Sequence, residues 1–248
     1  MKVSIITATY NSASTILDAI QSVQQQTYQN IEHIIIDGVS TDDTIEKIQS
    51  IHHPIKIISE KDKGIYDAMN KGIAQASGDV IGILNSDDFY SNENIIEKVV
   101  KQFEVIDCDA LYGDLLYVDA NNTNNIKRRW VSGNYERKDF LKGWMPPHPT
   151  FFVKKEVYEK YGVFNLDLGS AADYELMLRF MFKHNIKTVY LPEVMIHMRT
   201  GGVSNKSLVN RLRANRGDRQ AWRVNGLKPG LFTLTLKPLR KVGQFFKK

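Results

Sequence analysis

A chain of 248 residues, 42% of them hydrophobic, holds enough apolar material for one large globular domain or for one domain plus a tail, which excludes a disordered or fibrous class. Its single cysteine, Cys108, excludes an intramolecular disulfide and a zinc site built on several thiolates, and suits a reducing cytoplasm. The net charge of +5 is unevenly spread: from Asn205 onward there are 12 Lys and Arg against Asp218 alone, so a tail of +11 follows a body of −6.

Met1 to Thr7 passes straight into a strand-like run without a signal-peptide core, and no segment is apolar for long enough to cross a bilayer. Val3 to Thr7 predicts a first strand, followed by a polar turn at 8–12 and a helix carrying Ile16, Leu17, Ile20 and Val23, with Ser12 or Ser14 as its cap. Ile31 to Ile36 predicts a second strand ending on Asp37, then a helix with Ile45 and Ile48. Ile55 to Ile58 is a weaker third strand, and Lys63-Gly64 opens a helix placing Ile65, Met69 and Ile73 on one face. Val80 to Leu84 is an apolar run buried on both faces that stops on Asn85-Ser86-Asp87-Asp88; Asn92 then caps a helix holding Ile95, Ile96, Val99, Val100 and Phe103. Strands alternating with helices imply a parallel sheet covered on both faces.

From Ala110 the pattern changes. Ala110 to Val118 and Ile126 to Ser132 flank an Asn-rich loop and predict an antiparallel hairpin. Gly143 to Pro149 is rigid and irregular, Thr150 to Val153 a strand, Glu156 to Tyr161 a short helix, and Tyr174 to Lys183 a helix with Leu176, Met177, Phe180 and Met181 inward. Thr188 to Leu191 and Val194 to Met198 predict two short strands, and Leu208 to Arg223 a basic helix.

The chemistry gathers at the carboxyl ends of successive strands, where Thr7, Tyr10 and Asn11, then Asp37, Ser40 and Asp42, then Asp87 and Asp88 should line one crevice. Adjacent carboxylates repel, and a hard divalent cation, Mn²⁺ or Mg²⁺, compensates them and brings phosphate oxygens with it; a plain surface turn accounts for the same residues. Asp37 can either accept hydrogen bonds from a nucleobase or ribose or cap the following helix. No P-loop and no Gly-x-Gly-x-x-Gly is present, so phosphate would be neutralised by the metal with Lys71 or Arg199.

The runs Val3 to Asn11, Ile36 to Thr44, Gly64 to Gly72, Ala76 to Asp79 and Leu84 to Asp88, taken in order, resemble the inverting family 2 glycosyltransferases of GT-A fold, closest to the bacterial branch that builds capsule, O-antigen and other exopolysaccharides. The resemblance covers about residues 1–204. It implies an α/β fold with a mostly parallel, Rossmann-like sheet, a nucleotide-binding half at 1–104, an acceptor half at 105–204 with a small antiparallel addition, and a basic helical extension at 205–248. It further implies that Thr7, Ala8, Tyr10, Asn11, Asp37, Ser40, Asp67, Asn70, Lys71, Asn85, Ser86 and Asp87 bind the nucleotide-sugar. Asp88, with Asp87, would hold Mn²⁺ or Mg²⁺, and Asp173 would be the general base. Asn85 stands where many relatives have an aspartate, and Ala172 where many have the first acid of a pair. His148 and Trp144 are acceptor-side candidates, and Arg199, two residues after His197, begins a loop resembling one that closes over the diphosphate.

The implied partners are a nucleoside-diphosphate sugar, with UDP the expected carrier, and a glycan or lipid-linked sugar acceptor. The enzyme is expected in the cytoplasm; its basic tail could make peripheral contact with the inner face of the membrane, Phe245 and Phe246 entering the lipid interface, or could be a solvated helix packing on the catalytic body. A sugar-nucleotidyltransferase is the alternative enzyme class, though its Gly-rich basic loop is missing after the first strand. A nucleic-acid binder working through the tail is the non-catalytic alternative, and the motifs argue against it.

Overall fold

The structure, a computed structural model, describes residues 1–51, 53–201 and 208–242, with tail side chains from 216 to 240. Strand β1 (Val3–Thr9) is buried along its whole length and lies between β2 (Ile31–Asp37) and β4 (Val80–Ile83), parallel to both; β3 (Ile55–Ser59) adds in parallel beyond β2. Helices α1 (Ile16–Gln24), α2 (Thr44–Gln49), α3 (Ile65–Gln75) and α4 (Ile95–Val105) are the crossovers. The two-residue period of the strands decides which helix each side chain meets. Ile34 and Ile36 pack with Met69 and Ile73 of α3, while Ile35 packs with Ile16, Ile20 and Ile48 of α1 and α2.

The parallel core continues into antiparallel structure. With β5 (Asp88–Tyr90) at its far edge, the order is β3-β2-β1-β4-β8-β6-β9-β5, with β7 beside β6; the short helix expected at Glu156–Tyr161 is α5 (Lys155–Tyr161). Strands β6 (Ala110–Val118) and β7 (Ile126–Trp130) form the expected hairpin, and β8 (Phe152–Lys154) joins it antiparallel to β4. Three segments differ from expectation. Thr188–Arg199 is one strand, β9, not two, and runs parallel to β6. The register passes from Tyr112 opposite Tyr190 to Asp114 opposite Val194, so the extra β9 residues, Pro192 among them, are absorbed in an irregularity where a residue without an N–H is tolerated. The helix expected at Tyr174–Lys183 is α6 (Ala172–Met177) followed by a π-helical segment at Leu178–Lys183. Ile65, expected to face inward, is half exposed at the first turn of α3.

Helix α3 approaches the sheet through Gly72, where an added Cβ would overlap the buried Ile6 side chain. Alanine in place of glycine favours a helix by about 1 kcal/mol, but forcing a methyl into a packed core costs about 1–3 kcal/mol. Gly72→Ala should therefore lower the calorimetric melting temperature by a few degrees; an unchanged or higher value would show that α3 slides outward at no cost.

Helices α7 (Leu208–Val224) and α8 (Thr233–Val242) belong to the tail, yet α7 docks on α6 and α8 on the 3-10 segment Arg137–Lys142. Trp222 is fully buried and donates its indole N–H to the Tyr174 hydroxyl at 2.9 Å. Asn225 donates to Glu175, which also pairs with Arg179 at 2.9 Å, and Lys237 meets Asp218 at 2.6 Å. Phe245 and Phe246 lie outside the described residues, as does the loop beyond Gly201.

Candidate active site

The loops after β1, β2 and β4 are hydrogen-bonded into one rim. Asn11 takes a left-handed conformation (φ 49°), which Asn tolerates better than most residues, and this brings its N–H to the Ser40 hydroxyl at 2.8 Å and its amide oxygen to the Thr41 N–H at 2.8 Å. Ser12 reaches Ser86 at 2.8 Å, joining the β1 loop to the aspartate turn. Val39, β-branched, is also left-handed (φ 64°), a strained choice of about 1–3 kcal/mol that the surrounding bonds must hold. Asp37 holds it: the carboxylate accepts from the Ser40 N–H at 3.1 Å, the Ser40 hydroxyl and the Ser59 hydroxyl at 2.6 Å.

The aspartate turn itself departs from a simple strand end. Strand β4 stops at Ile83, and Asp88 is the first residue of β5 (Asp88–Tyr90), antiparallel to β9 with Asp88 opposite Met198. Asp88 is fully buried, with one oxygen accepting from the Asn85 amide at 2.8 Å and its Oδ1 without a partner. Burial, and then the charge of Asp87, pushes Asp88 well above the usual carboxylate range. Burial raises Asp87 as well. Arg199, nearly buried, donates to the Asp87 carbonyl at 2.8 Å and to the Asp18 carboxylate, and its positive charge opposes both shifts. Two carboxylates held this way, one with an orphaned buried oxygen, fit a hard dication. Among the described residues no group of three or more His, Cys, Asp or Glu gathers around a metal position, so the other ligands would be donor phosphates and water.

A second corner lies within electrostatic reach of the first. Asp173, in the first turn of α6, accepts from the Tyr174 N–H at 2.7 Å and places Oδ2 3.4 Å from Nδ1 of His148, which sits in the 3-10 turn His148–Thr150. Burial lowers the His148 pKa, opposed by the charges of Asp173 and Asp87. Tyr66, from α3, is held un-ionised by burial and then by the Asp173 carboxylate. Tyr117 of β6 feels the charges of both Asp88 and Asp173, and the Arg128 guanidinium, its cross-strand partner on β7, lies 3.7 Å from its ring centroid.

The Glycosyl transferase family 2 model matches residues 4–162, which hold the whole of this rim. The chain belongs to glycosyl transferase family 2. It is 33% identical over 180 residues, 71% of the chain and 68% of the relative, to an uncharacterized glycosyltransferase of Mycobacterium tuberculosis. It is 28% identical over 209 residues, 82% of the chain and 78% of the relative, to a PGL/p-HBAD biosynthesis glycosyltransferase of Mycobacterium bovis. Among solved structures, Staphylococcus aureus TarS 1–349 in complex with UDP-GlcNAc superposes with a TM-score of 0.70 at 17% identity, covering 95% of this chain and 69% of that one. The mannosyltransferase PcManGT of Pyrobaculum calidifontis, in complex with GDP-Man and Mn²⁺, superposes with a TM-score of 0.68 at 20% identity, covering 95% and 68%. The fold is GT-A.

In this glycosyltransferase several residues expected at the nucleotide are buried or hydrogen-bonded to the protein's own backbone and side chains. Thr7 is fully buried with its hydroxyl 3.0 Å from His33 Nε2, and Ala8 packs in the core. Both follow from β1 being covered on both faces, which leaves the loop after it to meet the cleft. Asp37 is likewise fully buried, with its carboxylate accepting from Ser40 and Ser59. Asp67 accepts from the Lys63 N–H, Asn70 holds the Phe164 backbone through both ends of its amide, and Lys71 donates to the Lys61 carbonyl beside Glu60, because α3 turns these groups along its own length. Trp144 is buried, stacked on Tyr135, and donates to the Ser132 carbonyl, so it offers no face to a sugar. Tyr10, by contrast, is exposed, and Asp62 joins it: an added Cβ on Gly38 would lie 2.5 Å from Asp62 Oδ2 and 3.5 Å from the Tyr10 ring. Asp62 was legible, since the loop after β3 obeys the rule that picked out the other three. Tyr117, Arg128 and Asp18 carried no local signal.

Proposed function

We propose that this glycosyltransferase inverts the anomeric centre as it moves one sugar from a nucleoside-diphosphate donor, UDP-linked, to a glycan or polyprenyl-linked acceptor in cell-surface polysaccharide synthesis. The observation that carries the reading is the division of labour across Tyr117: a buried carboxylate with an unpartnered oxygen at Asp88, and a carboxylate paired with an imidazole at Asp173 and His148. The complexes of TarS with UDP-GlcNAc and of PcManGT with GDP-Man and Mn²⁺ support a nucleotide-sugar donor. Asp88, with Asp87, would hold Mn²⁺ or Mg²⁺, which would supply Lewis-acid stabilisation of the diphosphate leaving group.

Asp173 Oδ2 takes the proton of the acceptor hydroxyl as that oxygen attacks the anomeric carbon and the bond to the diphosphate oxygen breaks. His148, neutral near pH 7 because burial lowers its pKa, places Nδ1 3.4 Å from Oδ2 of the same carboxylate and flanks it. Arg199 fixes the Asp87 backbone, and Asn85 fixes Asp88. Residues 1–104 serve the donor and 105–204 the acceptor, with 205–248 as an extension. No helix among the described residues is long and apolar enough to cross a membrane, and we place the enzyme at the cytoplasmic face, where a lipid-linked acceptor would be met.

Calorimetric titration with UDP and with GDP, each with and without Mn²⁺, tests the donor. UDP should bind saturably and at least tenfold more tightly with the metal, and more tightly than GDP. Absence of binding by either nucleotide under both conditions would sink the reading. NMR of the product anomer, once a donor is found, reads inversion directly.

A further inference from the structure

The corner between α7 and α8 exposes several large apolar side chains close together. Leu231 is 94% exposed and Phe232 66%, and Leu239 follows at 63%. With 100° per residue, Phe232, Thr235 and Leu239 fall on one stripe of α8, opposite Thr233 and Leu234, which are buried against the body. The stripe is rigidly presented. Thr233 donates its hydroxyl to the Leu141 carbonyl, Lys237 is tied to Asp218, and Gly143 packs directly against the Lys237 backbone.

The charge that residues 216–240 themselves expose is of one sign, with Asp139 facing Arg240 from the segment α8 packs on. Arg216, Arg219, Arg223, Lys228 and Arg240 are all exposed, whereas Asp218, the one acid after Asn205, is buried and paired with Lys237. Two copies meeting through this face would bring those cations together, which disfavours self-association. An anionic surface with an apolar interior satisfies both features, with aliphatic and aromatic side chains entering the acyl boundary and cations meeting the headgroups.

We propose that the α7–α8 corner docks the enzyme on anionic phospholipid bilayers, with Leu231, Phe232 and Leu239 inserting and Arg223, Lys228 and Arg240 facing the headgroups. This deepens the reading of a lipid-linked acceptor, but it stands on a different surface, whose docking residues all lie beyond the matched family region 4–162, and is measured separately from nucleotide binding.

Sedimentation of the full chain with vesicles of phosphatidylcholine alone and with about 30% phosphatidylglycerol tests it. The wild type should partition onto the anionic vesicles at least tenfold more strongly, and lose most of that binding in 0.5 M salt. Leu231→Ser/Phe232→Ser should reduce the partition about tenfold or more with an unchanged circular dichroism spectrum and unchanged UDP titration, and Arg223→Glu/Lys228→Glu should do likewise. Equal binding to both vesicles, no binding, or full binding by either double variant overturns the proposal. So does a concentration-dependent dimer that the Leu231→Ser/Phe232→Ser change dissolves, since the stripe would then be a protein interface. Loss of UDP binding by the wild type with vesicle binding intact would refute the donor reading and leave this one standing.

Discussion

Asp173→Asn should lower kcat by about 10²–10⁴-fold while leaving the Kd for UDP within about threefold. The substitution keeps size and the Tyr174 N–H bond but removes the acceptor for the hydroxyl proton, and the nucleotide corner around Asp88 is untouched. His148 gives the expectation a second reading. Its folded-state pKa lies below 6.5, so the imidazole stays neutral on acidification for longer than a free one and then charges beside Asp173. That charge makes the carboxylate a weaker base, so the wild-type rate should fall on the acid side, and His148→Gln should reduce the slope of that limb at a cost of several-fold in kcat. Linkage has the same direction: the unfolded chain binds the proton more readily than the folded one, so His148 makes stability fall as pH drops through 6.5. An Asp173→Asn enzyme with a kcat within fivefold of wild type would move the base elsewhere, and Tyr66 could not replace it while burial holds its hydroxyl un-ionised.

The parallel half was legible because its signals are local. Runs such as Ile34-Ile35-Ile36 and Val80-Ile81 can only be strands covered on both faces, and the turn residues between them announce where the cleft lies. What each rim residue does there was not legible, because it depends on which way a loop closes. Nothing local to Asp37 announces that Ser40 and Ser59, 3 and 22 positions away, converge on its carboxylate. Asp173 was found by resemblance, but its pairing with His148 joins a turn to a helix 25 residues on, and no spacing encodes that. The tail posed the opposite problem. Its basic composition suggested either a lipid-bound helix or one packing on the body, and the buried Trp222 that fastens it to Tyr174 reads as one more aromatic until the partner is in place.

Asp88→Asn should abolish Mn²⁺-dependent UDP binding and yet raise thermal stability in metal-free buffer. The wild-type carboxylate is fully buried, has one oxygen unpartnered, and lies beside Asp87, so ionising it is costly. Its folded-state pKa is raised above the unfolded value near 3.8, which fixes the sign: Asp88 contributes stability that is complete below that value and is lost as pH rises through the folded pKa. An amide of the same shape does not titrate and can still pair with Asn85. The two proteins should therefore melt together near pH 4 and diverge as pH rises. At pH 8 with EDTA the variant should gain about 1–3 kcal/mol, or roughly 3–10 °C for a chain of this length. Adding Mn²⁺ should raise the wild-type melting temperature toward or past the variant's and leave the variant where it was, because a ligand stabilises only the form that binds it. A variant that melts below the wild type at pH 8 without metal, or that keeps a metal-dependent UDP titration, would show that Asp88 is held for structure and that the cation sits elsewhere.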